Sequence, residues 1–271
     1  MQQPTHNERA PVGVLDSGIG GLSVANAIFD LLPFERIHYF GDLAYMPYGV
    51  KTQEKIIERV FKIIDFLRSQ RCKAIVMACN TASSAALNAA RVQWPDLPII
   101  GMEPAVKPAV QASKTRKIGV LATESTIESD RYQSLVDRFA HGVTVIEDTC
   151  AGLAKSIDEG NGPSAISYAL LEAIVPPMIV QGVDTFVLGC THYPFVKNQI
   201  QALAGPDATI IDPSFAVAKQ LKRKLEQAQL LATSPLEGTH QFYTSKQTAT
   251  FTEGLSHFAK AKYEGPFEAE L

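Results

Sequence analysis

Val76-Met77-Ala78-Cys79-Asn80-Thr81 and Val187-Leu188-Gly189-Cys190-Thr191-His192 are near copies of each other. Each runs an apolar, strand-forming stretch into a cysteine, with hydrogen-bonding side chains immediately after it. In an open α/β sheet such strands deliver the residue at their carboxyl end to the ligand crevice. A second pair precedes them in the same order: Val12-Gly13-Val14-Leu15-Asp16-Ser17 and Ile118-Gly119-Val120-Leu121-Ala122-Thr123. Asp16 and Cys79 are 63 residues apart, Ala122 and Cys190 68. The chain thus reads as a duplicated design, each half having a first strand that ends in a small polar pair and a later strand that ends in cysteine.

Around these motifs, short β-branched runs alternate with helical patterns. Strands are expected at residues 12–15, 37–40, 74–78, 98–101, 117–121, 144–147, 185–188 and 209–211. Nearly all are continuous apolar runs, as in strands covered on both faces. Ile56, Val60, Ile63, Ile64 and Leu67 recur at helical spacing within 52–69, and 83–92, 129–139 and 195–203 also read as helices. Alternating strands and helices argue for parallel sheets with right-handed crossovers. The expected fold is two similar open-sheet α/β domains facing each other, with the active site in the cleft between them. Glu103-Pro104 and Lys107-Pro108 mark a hinge, because a residue before proline disfavours helix. The chain returns near Asp212-Pro213, with a last helix over 215–231 and a strand over 241–244. These boundaries give a discontinuous first domain of residues 1–103 plus 214–271 and a second of 104–213. Residues 1–10 read as a loose polar arm, and the tail from Lys260 onward as weakly ordered.

The 271 residues carry a net charge of −3, with 46% hydrophobic and 20% charged residues, as in an ordinary soluble globular protein. That balance gives no bulk attraction to nucleic acid or anionic lipid, so an anionic substrate needs a local field. Four cysteines are too few for a disulfide framework and lack the paired spacing of a zinc site. Reduced thiols in a cytoplasm are the simpler reading. The N-terminus lacks a signal-peptide core, and no stretch approaches the roughly 18 apolar residues that span a bilayer.

Asp16-Ser17-Gly18-Ile19-Gly20-Gly21 leaves a strand and opens a helix, where glycines let amides approach an anion. A dinucleotide fingerprint needs glycine at 23, which is Ser23, so a nicotinamide or flavin role is disfavoured. Pro47-Tyr48-Gly49 fits a turn whose amides can meet a carboxylate. Asn80, Thr81, Thr191 and His192 make poor core neighbours but good partners for an amino acid's charged ends. Moving a proton from one face of a carbon to the other requires two bases, one starting as thiolate and one as thiol. An ordinary thiol, with a pKa of about 8.5, needs help to act near neutrality. Asp16 is the helper for Cys79, and His192 for Cys190.

Together, residues 15–21 (LDSGIGG), 40–49 (FGDLAYMPYG), 78–83 (ACNTAS), 104–109 (PAVKPA), 122–126 (ATEST) and 188–194 (LGCTHYP) resemble the glutamate racemases of the aspartate/glutamate racemase superfamily. The resemblance covers about residues 12–214. It implies Cys79 and Cys190 as paired acid/bases with no cofactor and no metal. By position, Asp16, Ser17, Tyr48, Gly49, Asn80, Thr81, Thr191 and His192 surround glutamate, with Thr123 and Thr126 as further carboxylate contacts. It also implies D-glutamate supply for peptidoglycan, a cytoplasmic homodimer, and a peptidoglycan precursor as a possible activator. The sequence departs from the family pattern at Cys150-Ala151, where proline is usual, and at Asp158, where glutamate is usual and a shorter carboxylate reaches less far.

Three readings compete with glutamate racemisation. Another amino acid such as aspartate is a rival substrate, since cleft depth is not written in sequence. A non-catalytic amino-acid sensor would keep Asn80, Thr81 and Thr191 but need neither thiol. A cysteine hydrolase would use Cys190 with His192 and leave Cys79 without a role.

Overall fold

The computed structural model describes residues 8–160, 162–235 and 238–271, and the chain divides into two compact units, 1–102 with 214–271 and 103–213. In chain order the first unit contains β1 (Val12–Asp16), α1 (Leu22–Leu31), β2 (Ile37–Gly41), a 3-10 turn (Tyr48–Val50), α2 (Gln53–Ser69), β3 (Ala74–Met77), α3 (Asn80–Gln93) and β4 (Ile99–Gly101). The second contains α4 (Val106–Ala112), β5 (Lys117–Leu121), α5 (Glu124–Ile127), α6 (Asp130–Phe139), β6 (Thr144–Asp148), α7 (Leu153–Asp158), α8 (Ala165–Glu172), α9 (Val175–Val180), β7 (Thr185–Leu188), a 3-10 turn (Tyr193–Val196), α10 (Lys197–Ala204) and β8 (Thr209–Ile211). The chain then re-enters the first unit with α11 (Ser214–Gln227), β9 (His240–Thr244), α12 (Ala249–Phe258) and β10 (Tyr263–Glu268).

Among the described residues the first sheet runs β10-β9-β2-β1-β3-β4 and the second β6-β5-β7-β8, every pairing being parallel. The order β2-β1-β3-β4 of the first unit is repeated as β6-β5-β7-β8 in the second. Even the ladder ends correspond: Ala78 N–H donates to Leu15 O in one unit, and Gly189 N–H to Leu121 O in the other. The duplicated motifs therefore occupy equivalent strand ends.

In the first unit, Ile56, Val60, Ile63, Ile64 and Leu67 of α2 pack with Ala82, Ala86 and Ala90 of α3 over Leu15, Phe40, Ile75 and Met77. The alanines let α2 and α3 approach closely. Thr52 caps α2 by accepting from Lys55 N–H, and Ser129 caps α6 by accepting from Tyr132 N–H. In the second unit the sheet is covered on both faces, and period-two alternation divides its side chains between them. Leu121, Phe186 and Leu188 meet α7, α8, α9 and α10, while Ile118, Val120 and Val187 meet α4 and α6.

Three expectations need correction. The edge strands β6 and β8 are partly exposed rather than buried, because each has a neighbour on one side only. The tail is not loose. β10 extends the first sheet beyond β9, with Tyr263 stacked on Phe242 at 4.4 Å and Gln247 bonded to Pro266 and Glu268. Of the polar arm expected over residues 1–10, residues 1–7 lie outside the described residues, while the Glu8 carbonyl accepts from the buried Lys73 ammonium. Lys73 also pairs with buried Glu35 at 2.7 Å.

Phe186, in β7, is fully buried and uses the space left by Gly119, where a Cβ would lie 2.9 Å from the ring. Phe186→Ala is expected to destabilise the second unit by about 3–5 kcal/mol through lost burial and a residual cavity. Equilibrium denaturation against the parent protein measures this.

Candidate active site

In a 2-1-3-4 parallel sheet, the chain leaves the first strand toward one side and returns on the other. Side chains just after the first and third strands therefore border a crevice that no crossover helix fills. In the first unit that rule selects the residues after β1 and β3, namely Asp16, Ser17, Cys79, Asn80 and Thr81. In the second it selects those after β5 and β7, namely Thr123, Thr126, Cys190, Thr191 and His192.

Cys79 is the N-cap residue of α3, with extended backbone, and its sulfur accepts from Ala82 N–H at 3.4 Å. Helix-terminal amides favour negative charge on such a sulfur. Ser17 Oγ lies 3.8 Å away. Asp16 is fully buried, and its Oδ1 accepts from Gly18 N–H at 2.8 Å, which shapes the turn into α1. Gly21 makes that turn possible: a Cβ there would come within 2.6 Å of Asp16 Cβ. Asn80 is 3% exposed, yet among the described residues neither its Oδ1 nor its Nδ2 has a hydrogen-bond partner. A buried amide left this way costs free energy unless a ligand satisfies it.

The Tyr48–Gly49 turn follows β2. Tyr48 is buried, and its hydroxyl donates to Asp42 Oδ2 at 2.7 Å. Burial, Asp42 and the nearby Cys79 push the phenol well above its ordinary range, so Tyr48 stays protonated. Its hydroxyl is thus committed to Asp42.

In the second unit, Cys190 precedes a 3-10 turn rather than an α-helix. An α-helix starts directly after the thiol only at Cys79, and Pro194 lies in the first turn after His192. What Cys190 has instead is His192, whose Nδ1 lies 3.5 Å from its sulfur. His192 Nε2 is 2.9 Å from Asp158 Oδ1, so the shorter carboxylate does reach. Burial alone would lower the imidazole pKa, but Asp158 and Cys190 outweigh it and hold it well above 6.5. The three groups form a line, carboxylate to imidazole to sulfur, along which a proton can pass. Thr123 and Thr126 join side chains at 2.9 Å at the start of α5. Gly189 lets β7 run close to β5, since a Cβ there would meet Ala122 Cβ at 2.7 Å.

The other two cysteines differ. Burial pushes the thiols of Cys72 and Cys150 up. All four cysteines are free. Among the described residues no group of three or more His, Cys, Asp or Glu could hold a metal, and no helix is long and apolar enough to cross a membrane. Sequence reasoning missed Arg59, which grips Asp42 from α2. Its signal was a cation between Ile56 and Ile63 on the apolar stripe of that helix.

Comparison with known proteins identifies the family and the fold. Residues 14–221 match the family model described as Asp/Glu/Hydantoin racemase. Glutamate racemase from Ectopseudomonas mendocina is 47% identical over 234 residues, covering 86% of this chain and 89% of that one. The crystal structure of a glutamate racemase isoform from Bacillus anthracis superposes with a TM-score of 0.84 at 32% identity, over 97% of this chain and 100% of that chain. That of Escherichia coli glutamate racemase, with L-glutamate and the activator UDP-MurNAc-Ala, gives 0.85 at 27% identity, over 97% and 98%.

Asp158→Asn is expected to lower the His192 pKa. A histidine whose folded pKa exceeds its unfolded value adds stability that is fully present below about pH 6.5 and fades as pH rises through the folded value. The variant should lose that contribution, narrowing its stability deficit relative to the parent as pH rises. Imidazole NMR titration together with denaturation at several pH values reads both effects.

Proposed function

The chain belongs to the Asp/Glu/hydantoin racemase family, and on that premise we propose that it is a glutamate racemase working by two bases without a cofactor. The observation that carries the proposal is the repeated placement of a cysteine after the third strand of each unit, each beside a proton-handling or charge-stabilising partner. In this reading Cys79 and Cys190 address opposite faces of the substrate Cα. One thiolate removes the α-proton while the other thiol delivers its proton to the opposite face. The roles exchange in the reverse direction.

The two thiols are served differently. At Cys79, the α3 amide end stabilises the sulfur anion, and Asp16 and Ser17 border it. At Cys190, His192 exchanges the proton and Asp158 keeps the imidazole charged and oriented. Asn80, Thr81, Thr123, Thr126, Thr191 and the Tyr48–Gly49 backbone bind the carboxylates and the ammonium. Donors aimed at the carboxylate next to Cα stabilise the carbanion-like charge that develops there. On the same reading the enzyme is a cytoplasmic homodimer that supplies D-glutamate for peptidoglycan, with a peptidoglycan precursor as activator. The sulfur–imidazole–carboxylate line favours this over a sensor, which needs no proton relay.

Incubated with L- or D-glutamate in deuterated water without added cofactor, the parent protein should exchange the Cα hydrogen and racemise. Cys79→Ala and Cys190→Ala should each lose racemisation by several orders of magnitude while remaining folded by circular dichroism. Full activity in either variant defeats the two-base assignment, and racemisation of aspartate rather than glutamate defeats the substrate.

A further inference from the structure

We propose that the buried Asp42–Arg59 ion pair is the positioning element of the Tyr48–Gly49 turn, and that Arg59 neutralises Asp42 so that this turn can accept a substrate carboxylate. The inference rests on the racemase reading above and assigns roles to two residues outside its proton-transfer set.

Asp42 follows β2 and is fully buried. Its carboxylate takes a two-pronged grip from Arg59, with Nε to Oδ2 at 2.8 Å and Nη2 to Oδ1 at 2.7 Å. Such forked pairs fix direction as well as charge. The same Oδ2 accepts from the Tyr48 hydroxyl. Asp42 N–H donates to Asp16 O at 3.0 Å, so one residue ties the end of β1 to the turn. Arg59 lies 5.2 Å from the Tyr45 ring, Lys51 stands 4.5 Å from that ring, and Tyr45 meets Tyr48 edge-on at 6.4 Å. Tyr48 in turn shares a packed cluster with Cys79. The turn therefore takes its shape from Asp42 on one side and its packing against the reactive thiol on the other.

The charge sign makes the arrangement more than structural. An unpaired carboxylate at Asp42 would repel a carboxylate docking on the Tyr48–Gly49 backbone. Arg59, with 11% of its side chain exposed, cancels that charge. The Asp42 hydrogen bond raises the hold on the guanidinium proton further, so the cation is permanent.

The test is a mutant cycle on the full chain, read as KM and kcat for glutamate beside thermal stability. Arg59→Met is expected to raise KM about tenfold with kcat changed less, because it leaves a buried carboxylate uncompensated. The double variant Asp42→Asn with Arg59→Met should recover most of that KM loss. Arg59→Lys, which keeps the charge without the fork, guards against a misfolded Arg59→Met and should raise KM severalfold at unchanged melting temperature. An unchanged KM in Arg59→Lys and Arg59→Met, or a double variant no better than Arg59→Met, overturns the proposal. Amide hydrogen exchange over residues 43–51 without glutamate should speed up in Arg59→Met and slow again in the double variant. A parent protein inactive on glutamate would sink the functional reading, while the exchange result still decides whether this ion pair sets the turn.

Discussion

The site depends on one topological constraint: in each unit, the strand that ends in cysteine lies beside the first strand but is reached by a crossover on the other side. β1 and β3, and likewise β5 and β7, are neighbours whose following segments diverge. Helices close the faces of both sheets, so the strand ends at this switch are where polar side chains can remain unburied by crossovers. The apolar strands exist to hold these ends. Val76 and Met77 behind Cys79, and Val187 and Leu188 behind Cys190, are fully buried and make the thiols rigid attachments of a packed sheet.

Electrostatics then distinguishes thiols that the sequence writes identically. Cys72 and Cys150 lie in apolar packing, where burial resists ionisation. Cys79 accepts the Ala82 amide at the start of α3, and Cys190 stands next to an imidazole paired with a carboxylate. Three carboxylates in or near the interior have a cationic partner: Asp42 with Arg59, Glu35 with Lys73, Asp158 with His192. Removing one partner of such a pair is costly, because the other is left uncompensated. The Glu35–Lys73 pair joins distant segments, whereas the other two stand at strand ends that carry the candidate site.

The two halves surround their cysteines with different groups. The first has the start of α3 at Cys79 and the Asp42–Arg59 pair bonded to the Tyr48 hydroxyl. The second uses a short 3-10 turn and a carboxylate–histidine line.

Strand periodicity and the repeated cysteine motifs determined the two α/β units, the parallel sheets and most residues of the candidate site. Local pattern carries that information, since apolar runs report burial and a cysteine before a polar pair reports a strand end. What pattern could not carry was partnership across long separations. Arg59 meeting Asp42, Asp158 rather than Glu159 reaching His192, and β10 adding to β9 are matters of which side chains the fold brings within about 3 Å. The sequence named the candidate cysteines because their residue type is rare and their spacing repeats. Tertiary structure alone decided their environment, because hydrogen bonds and charge compensation act through space, where chain order has no bearing.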